Sequence, residues 1–331
     1  MIKYCFIFLL PSFILYSCSE KVENPESDLS NLSTIVAKIE NSVSIYKGEI
    51  ELLKIHYEYL LDKRDSLFPL IDKTKYQFNS GYSHNLPESD TTLSKIFIST
   101  RNLNLEKAKE EVALTNGLDS VFLKLYYKDS LIAQIYSNSA SNVSRVYPSY
   151  DARNLIAPET DITAFNFYYE ADLKNNPSKG PVWISEAYVD PAGRGWIFSL
   201  IQPVYEKDEL FAVLGIDFSV DNYIQDFLDQ EKGRLLIINK KGDIVAGKSS
   251  AIETLSMPPL KNHVYRETIK MDSFRISDFN LFHSKSKEVR EMAKSLLLEN
   301  NVEYTFYQEK GLKNAKSVPF GIVDWYLLEL N

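Results

Sequence analysis

The sequence predicts an α+β fold in which one long N-terminal helix packs on two antiparallel sheets. Three observations carry this expectation. From Leu32 to Leu60, apolar residues including Val36, Ile39, Val43, Tyr46, Ile50, Leu53 and Tyr57 recur at alternating steps of four and three, the period of one helix face. Beyond residue 120 the pattern changes to short β-branched and aromatic runs broken by turn residues. A second β-rich stretch opens after Gly233 with RLLIINKKGDIVAG, which reads as a hairpin turning at Lys241-Gly242.

The chain has 331 residues, 44% hydrophobic and 25% charged, a composition for one large domain or two small ones. Two modules are the better reading. The net charge is -8 and no basic stripe is present, which excludes a nucleic-acid partner because nothing would release phosphate counterions. No cofactor motif appears: there is no Gly-rich phosphate loop after a strand, no Cys pair and no His-Glu-x-x-His. The four histidines, His56, His84, His263 and His283, are scattered without metal-ligand spacing. A Gly-x-Ser-x-Gly elbow is also missing, so the chain is not expected to be an enzyme.

The first residues, MIKYCFIFLLPSFILYSCSE, have one positive charge, an apolar run and a small residue before Cys18, the layout of a secretory signal over residues 1–17. Leu15-Tyr16-Ser17-Cys18 resembles the lipobox of bacterial lipoproteins, which implies that Cys18 is the lipidated first residue and that a membrane holds the protein through its lipid. Removal of that segment takes Cys5 with it, leaving one Cys and no internal disulfide. The alternative is a secreted product with a free Cys. The lipid anchor implies localisation in the cell envelope, facing the periplasm or at the cell surface. Residues 18–28 read as a polar tether and 29–75 as the spine helix, closing near Pro69. The helix stripe is expected to pack on the chain's own sheets, the alternative being a coiled-coil seam that dimerises two copies. Gly48 in its middle marks a bend or a close approach.

Strand runs are expected at residues 121–127 and 131–136, then at 182–189, 196–205 and 209–218, with a loop-rich segment over 138–165. Ser219 starts a helix that ends the first module, so the modules are residues 76–232 and 233–331. In the second, SKSKEVREMAKSLLLENN reads as an amphipathic helix, and EYTFYQEKG and DWYLLEL as strands, while residues 250–282 are mixed.

At GPVWISEAYVDPAGRGWIFSLIQPVYEKDELFAVLGIDFSVDNY the chain resembles double Cache domains, the PAS-like extracytoplasmic ligand-binding modules of bacterial receptors. The resemblance rests on Trp183, on Tyr188-Val189-Asp190-Pro191, on Pro203-Val204-Tyr205 and on Gly215-Ile216-Asp217, in that order. It implies a ligand pocket in the first module. In the amino-acid-binding members, an Arg-x-Trp-Tyr-x-x-Ala motif supplies an Arg for the ligand carboxylate. The turn Tyr and Asp and the Asp after Gly-Ile help hold the ammonium. Here FNFYYEA places Phe165 at the Arg position, with Phe167, Tyr168 and Ala171 following. Phe cannot clamp a carboxylate. Tyr188, Asp190 and Asp217 match as they stand.

Strand alternation tests the pocket independently of that likeness. Ile184, Glu186, Tyr188 and Asp190 share one face of their run, and Phe211, Val213, Gly215 and Asp217 share one face of theirs. Asp190 reads either as a turn starter before Pro191 or as a pocket acid. Asp217 ends an apolar strand, so it is solvent-facing, a cap for the next helix, or paired with a cationic guest. Pocket membership is favoured for both. With Phe167, Tyr168 and Tyr188 they form an ammonium site, acids plus ring faces. Arg153, in the segment over 138–165, is the residue that would restore carboxylate binding. Trp183, Trp196 and Trp325 are expected to fill core.

The reading is therefore a lipid-anchored sensor of an amine or amino-acid-like small molecule that signals through a membrane receptor or kinase partner. The alternative is a structural or surface-interaction lipoprotein that binds no ligand, for which Asp190 and Asp217 would both be exposed and Phe165 would fill the cavity.

Overall fold

The computed structural model describes residues 25–331 except 185, 272 and 310. The signal segment and Cys18 lie outside the described residues. Helix α1 runs Pro25–Asp62, then continues through short turns to Leu70. Four residues assigned to the tether, 25–28, are thus helical: Pro25 opens the helix, where a missing N–H costs nothing. The stripe from Leu32 to Leu60 is buried on the chain's own sheets. Gly48 makes no close approach, since a Cβ there would find nothing within 4 Å.

The larger sheet comprises β1 (Phe78–Asn79), β2 (Tyr82–Ser83), β3 (Lys95–Ile98), β4 (Ile132–Ser139), β5 (Val143–Tyr147), β6 (Val182–Trp183), β7 (Tyr188–Val189), β8 (Trp196–Glu206) and β9 (Glu209–Ser219). Its order is β1-β2-β3-β5-β4-β9-β8-β6, with β7 also on β8, and all pairs are antiparallel. The second sheet has β10 (Arg234–Asn239), β11 (Ile244–Gly247), β12 (Glu303–Thr305), β13 (Asn314–Pro319) and β14 (Trp325–Leu330), ordered β11-β10-β14-β13-β12. The expected architecture, one long helix on two antiparallel sheets, is the one observed.

Several local expectations are corrected. Residues 121–127 are not a strand: Leu118–Tyr126 is a helix, because Leu118, Phe122 and Leu125 recur at helical spacing and are buried together, which outweighs the strand-like composition. The segment over 138–165 contains β5, so it is less loop-rich than its polarity suggests. Residues 182–189 break into β6 and β7, and Glu186 turns outward to pair with Lys241 of the second module. Phe211 leaves the shared face. Val204 pairs Ala212 while Tyr205 pairs Leu210, so Phe211 is the extra residue of a bulge and packs edge-on against Tyr57 of α1. Residues 250–282 resolve into short helical turns, and the amphipathic helix is Lys287–Leu297, capped by the Ser286 hydroxyl.

The core lies between α1 and the even-numbered face of β9. Phe218 sits at its centre, 5.1 Å from Tyr46, 5.5 Å from Trp183 and 5.4 Å from Phe198 by ring centroids. Phe198 in turn meets Trp325 of the second sheet at 5.1 Å, so one aromatic stack joins helix and both sheets. Trp183 and Trp325 are buried as expected of core fillers, and Trp196 packs edge-on against Phe274. After β9, Ser219 caps the helix Val220–Tyr223 by accepting from Asn222 N, and Asp221 on that helix pairs with Arg266 and Lys270 of the second module. Phe218→Ala is expected to destabilise the chain by about 3–5 kcal/mol, measured by chemical denaturation, because every neighbour of that ring is itself held in place.

Candidate functional site

Register builds the site. In the sheet, Asp217 of β9 stands between Gln134 of β4 on one side and Ser199 of β8 on the other. A bulge in β4 makes Ala133 the extra residue there, since Ile132 pairs Phe218 and Gln134 pairs Asp217, and it aims Gln134 at the acid. The Gln134 amide Nε2 donates to Asp217 Oδ2 at 2.7 Å and to Asp190 Oδ1 at 2.9 Å. Ser199 Oγ donates to Asp217 Oδ1 at 2.5 Å and shares a hydrogen bond with the Tyr188 hydroxyl at 2.6 Å. Two carboxylates, an amide and two hydroxyls thus form one network.

Asp190 closes the turn and also lines a cavity. Its carboxylate accepts from Ala192 N and Arg194 N, each at 3.0 Å, which folds the Pro191–Gly195 turn, and the remaining hydrogen bond goes to Gln134. The two acids are 4% and 1% exposed, so the ligand-free alternative that required them in solvent is not met on this point. Asp217 is not the cap of the following helix, a role Ser219 fills.

The network lines a cavity of about 50 Å³. Its walls are Phe97, Tyr136, Tyr150, Phe165, Phe167 and Tyr188, with Gln134, Asn138 and Ser144 adding polar atoms. Ile156, Thr160 and Ile162 also line it, so the segment over 138–165 contributes part of its wall. Phe165 and Phe167 lie face to face, 5.0 Å apart with 7° between planes. Phe165 thus occupies part of the volume that an Arg at its position would enter. Tyr168 is buried in the same apolar cluster but does not line the cavity. Arg153 is corrected: it is exposed and lies over the Tyr82 ring, 5.7 Å from its centroid, outside the cavity wall. Among the described residues no Lys, Arg or His lines the cavity.

Ser199 and Ser144 were not anticipated, nor were Gln134, Tyr136 and Asn138 of β4. The last three alternate on one face of β4, and a polar residue at every second position of a buried strand is the signal that would have found them. Tyr136 also explains the Gly of Gly-Ile-Asp. The two are cross-strand partners, and a Cβ on Gly215 would stand 1.9 Å from the Tyr136 ring.

Electrostatically the site is under strain toward protonation. Burial, with the Asp190 charge adding to it, pushes the Asp217 carboxyl up to about 8, against hydrogen bonds from Ser199 and Gln134 that favour its ionised form. Burial also raises Asp190, opposed by the Ala192 and Arg194 amides. Two acids bridged by one amide hold one proton between them more readily than two negative charges. The pH dependence follows. Unfolded, the Asp217 carboxyl is ionised above its ordinary 3.8; folded, it keeps its proton to about 8. Across that window the native state binds the extra proton, so the stability this group contributes falls as pH rises. Asp217→Asn is therefore expected to melt near wild type at about pH 4 and above it by a margin that widens toward about pH 8, a trend read from thermal denaturation without ligand.

No protein-family model matches the chain, and no curated protein is significantly similar to it. Among solved structures it is similar to bacterial chemoreceptor ligand-binding domains. One is the sensory domain of a Campylobacter jejuni chemoreceptor, 12% identical, covering 93% of this chain and 97% of that one with a TM-score of 0.43. Another is a Pseudomonas fluorescens chemoreceptor domain solved with L-alanine, 16% identical over 70% of this chain and 88% of that one, TM-score 0.44. A third is a Pseudomonas aeruginosa PAO1 amino-acid chemoreceptor domain solved with L-Gln, 14% identical over 61% and 68%, TM-score 0.40.

Proposed function

We propose that the protein is a lipid-anchored, extracytoplasmic binding protein whose first module takes a small amine. One observation carries the reading: two carboxylates are buried in a cavity walled by aromatic rings, with no cation among the described lining residues. Buried acids that are hydrogen-bonded but have no cation in the wall beside them are costly, and an ammonium guest relieves that cost through charge-assisted hydrogen bonds while ring faces line its flanks. An α-amino acid would bring a carboxylate to a wall that offers it no guanidinium. The lipid anchor rests on the Leu15–Cys18 segment, and signalling then passes to a partner at the membrane.

A ligand-free interaction protein remains the second reading, favoured by the small cavity and by Phe165 within it. Thermal-shift measurement of the chain against amines, amino acids and small carboxylates separates the two. At about 100 times its dissociation constant a ligand adds roughly 2.7 kcal/mol. A rise with amines that Asp217→Asn abolishes is expected; silence across the panel would favour the interaction protein, and a rise with carboxylates alone would overturn the amine.

The partner with a specific observation behind it is a second copy. On α1, opposite the buried stripe, Ile45, Leu52, Ile55 and Tyr59 are 52–64% exposed at steps of seven, three and four, a heptad seam distinct from the one the sequence suggested. Gly48 falls in that seam with open space beside it. The seam covers about two heptads, so it suits a weak dimer that tethering on a surface would strengthen. Light scattering at rising concentration is expected to show a mass increase that Leu52→Arg with Ile55→Arg removes while helix content is kept; equal masses at all concentrations would discard the second copy.

A further inference from the structure

Resting on the reading that the cavity takes an amine, we infer that the ligand is a primary amine whose far end is uncharged and hydroxyl-like, rather than a quaternary ammonium or an amino carboxylate. The argument begins at Gln134. Its Nε2 lies between two carboxylate oxygens, at 2.7 and 2.9 Å, and rotating the amide would set Oε1 against both. The amide orientation is therefore fixed by its partners. Oε1 must face the other way, where it is buried with no donor among the described residues. Asp190, Asp217 and Gln134 line the same cavity, so its acidic end offers a guest two carboxylates and, beside them, an amide carbonyl that lacks a donor.

A primary ammonium carries three N–H donors and can meet all three. A quaternary ammonium carries none. It would gain from the faces of Phe167 and Tyr188, but it would leave Oε1 buried and unpaired, and the cost of such an atom exceeds what an additional ring contact returns.

The other end is neutral. Asn138 and Ser144 are cross-strand partners on β4 and β5, both line the cavity, and Asn138 Oδ1 is also buried without a donor. Four residues of strand separate Asn138 from Gln134, about 13 Å between Cα atoms, so this group reads the far end of a guest and not its ammonium. An amide facing a hydroxyl offers both donor and acceptor to a hydroxyl, and no charge to a carboxylate. The cavity, about 50 Å³ and partly open, is narrow, so the guest is slender.

Isothermal titration of the full chain tests this with four probes of matched chain length: an n-alkylamine, its N-trimethyl analogue, the ω-amino alcohol and the ω-amino carboxylate. The primary amine is expected to bind at least about tenfold tighter than the trimethyl analogue. The ω-hydroxyl should add about fivefold, and Asn138→Leu should erase that increment alone. If the trimethyl compound binds as well as the primary amine, the inference fails while the amine reading stands. Tighter binding of the amino carboxylate overturns the uncharged far end. If no amine binds, both fall together. The wild-type comparison of primary and trimethyl probes needs no variant, so a misfolded substitution cannot mask the outcome.

Discussion

The apolar stripe of α1 is what the rest of the molecule leans on. A helix of this length extends roughly 57 Å, enough to lie across two sheets in succession. Each sheet has one face that must leave water, and the stripe from Leu32 to Leu60 supplies the cover for both. With one face of the larger sheet spent on the helix, only the opposite face is free to carry a cavity. The acids of β9 follow that division: Ile216 and Phe218 point to the helix side, while Val213 sits in the cluster on the cavity side and Asp217 opens into the cavity itself.

The site then depends on a conflict that folding creates and does not remove. Asp190 is committed to the turn that it closes, so its position is fixed by backbone amides. Asp217 is committed by register, between Gln134 and Ser199. The fold therefore holds two carboxylates near each other in a place poor in water, bridged by Gln134. An amine that enters would replace a bound proton by a bound cation, so its affinity is tied to pH through the same carboxyl that lowers the native state's stability.

Much of this was legible in the residues. The helix stripe, the strand pair over 196–218, the hairpin after Gly233 and Ser219 as a cap follow from periodicity and turn chemistry. The acids Asp190 and Asp217 were singled out by the resemblance together with the cost of a buried charge, and the strand Asn314–Pro319 was not anticipated. What was not legible has local causes. The helix Leu118–Tyr126 carries Val, Phe and Tyr, whose strand-like composition hides a helical spacing. Two bulges, at Ala133 and Phe211, shift a face by one residue, and nothing in an alternating pattern announces where an extra residue will fall. Arg153 was placed by its segment alone, and a segment does not say which way a side chain leaves it. Gln134 and Asn138 were visible in principle, as polar residues inside a buried strand.

Asp217 and Asp221 are four residues apart, one in the cavity and the other gripped by Arg266 and Lys270 of the second module. Only the end of β9 and the first turn of a helix lie between them, and Ser219 ties strand to helix. Such a segment is too short to absorb a displacement by bending. Any displacement of the strand end is therefore carried to the first turn of that helix and to Arg266 and Lys270, so the position of the Asp217 carboxylate and the packing of these two cations are set by one short, stiff connection.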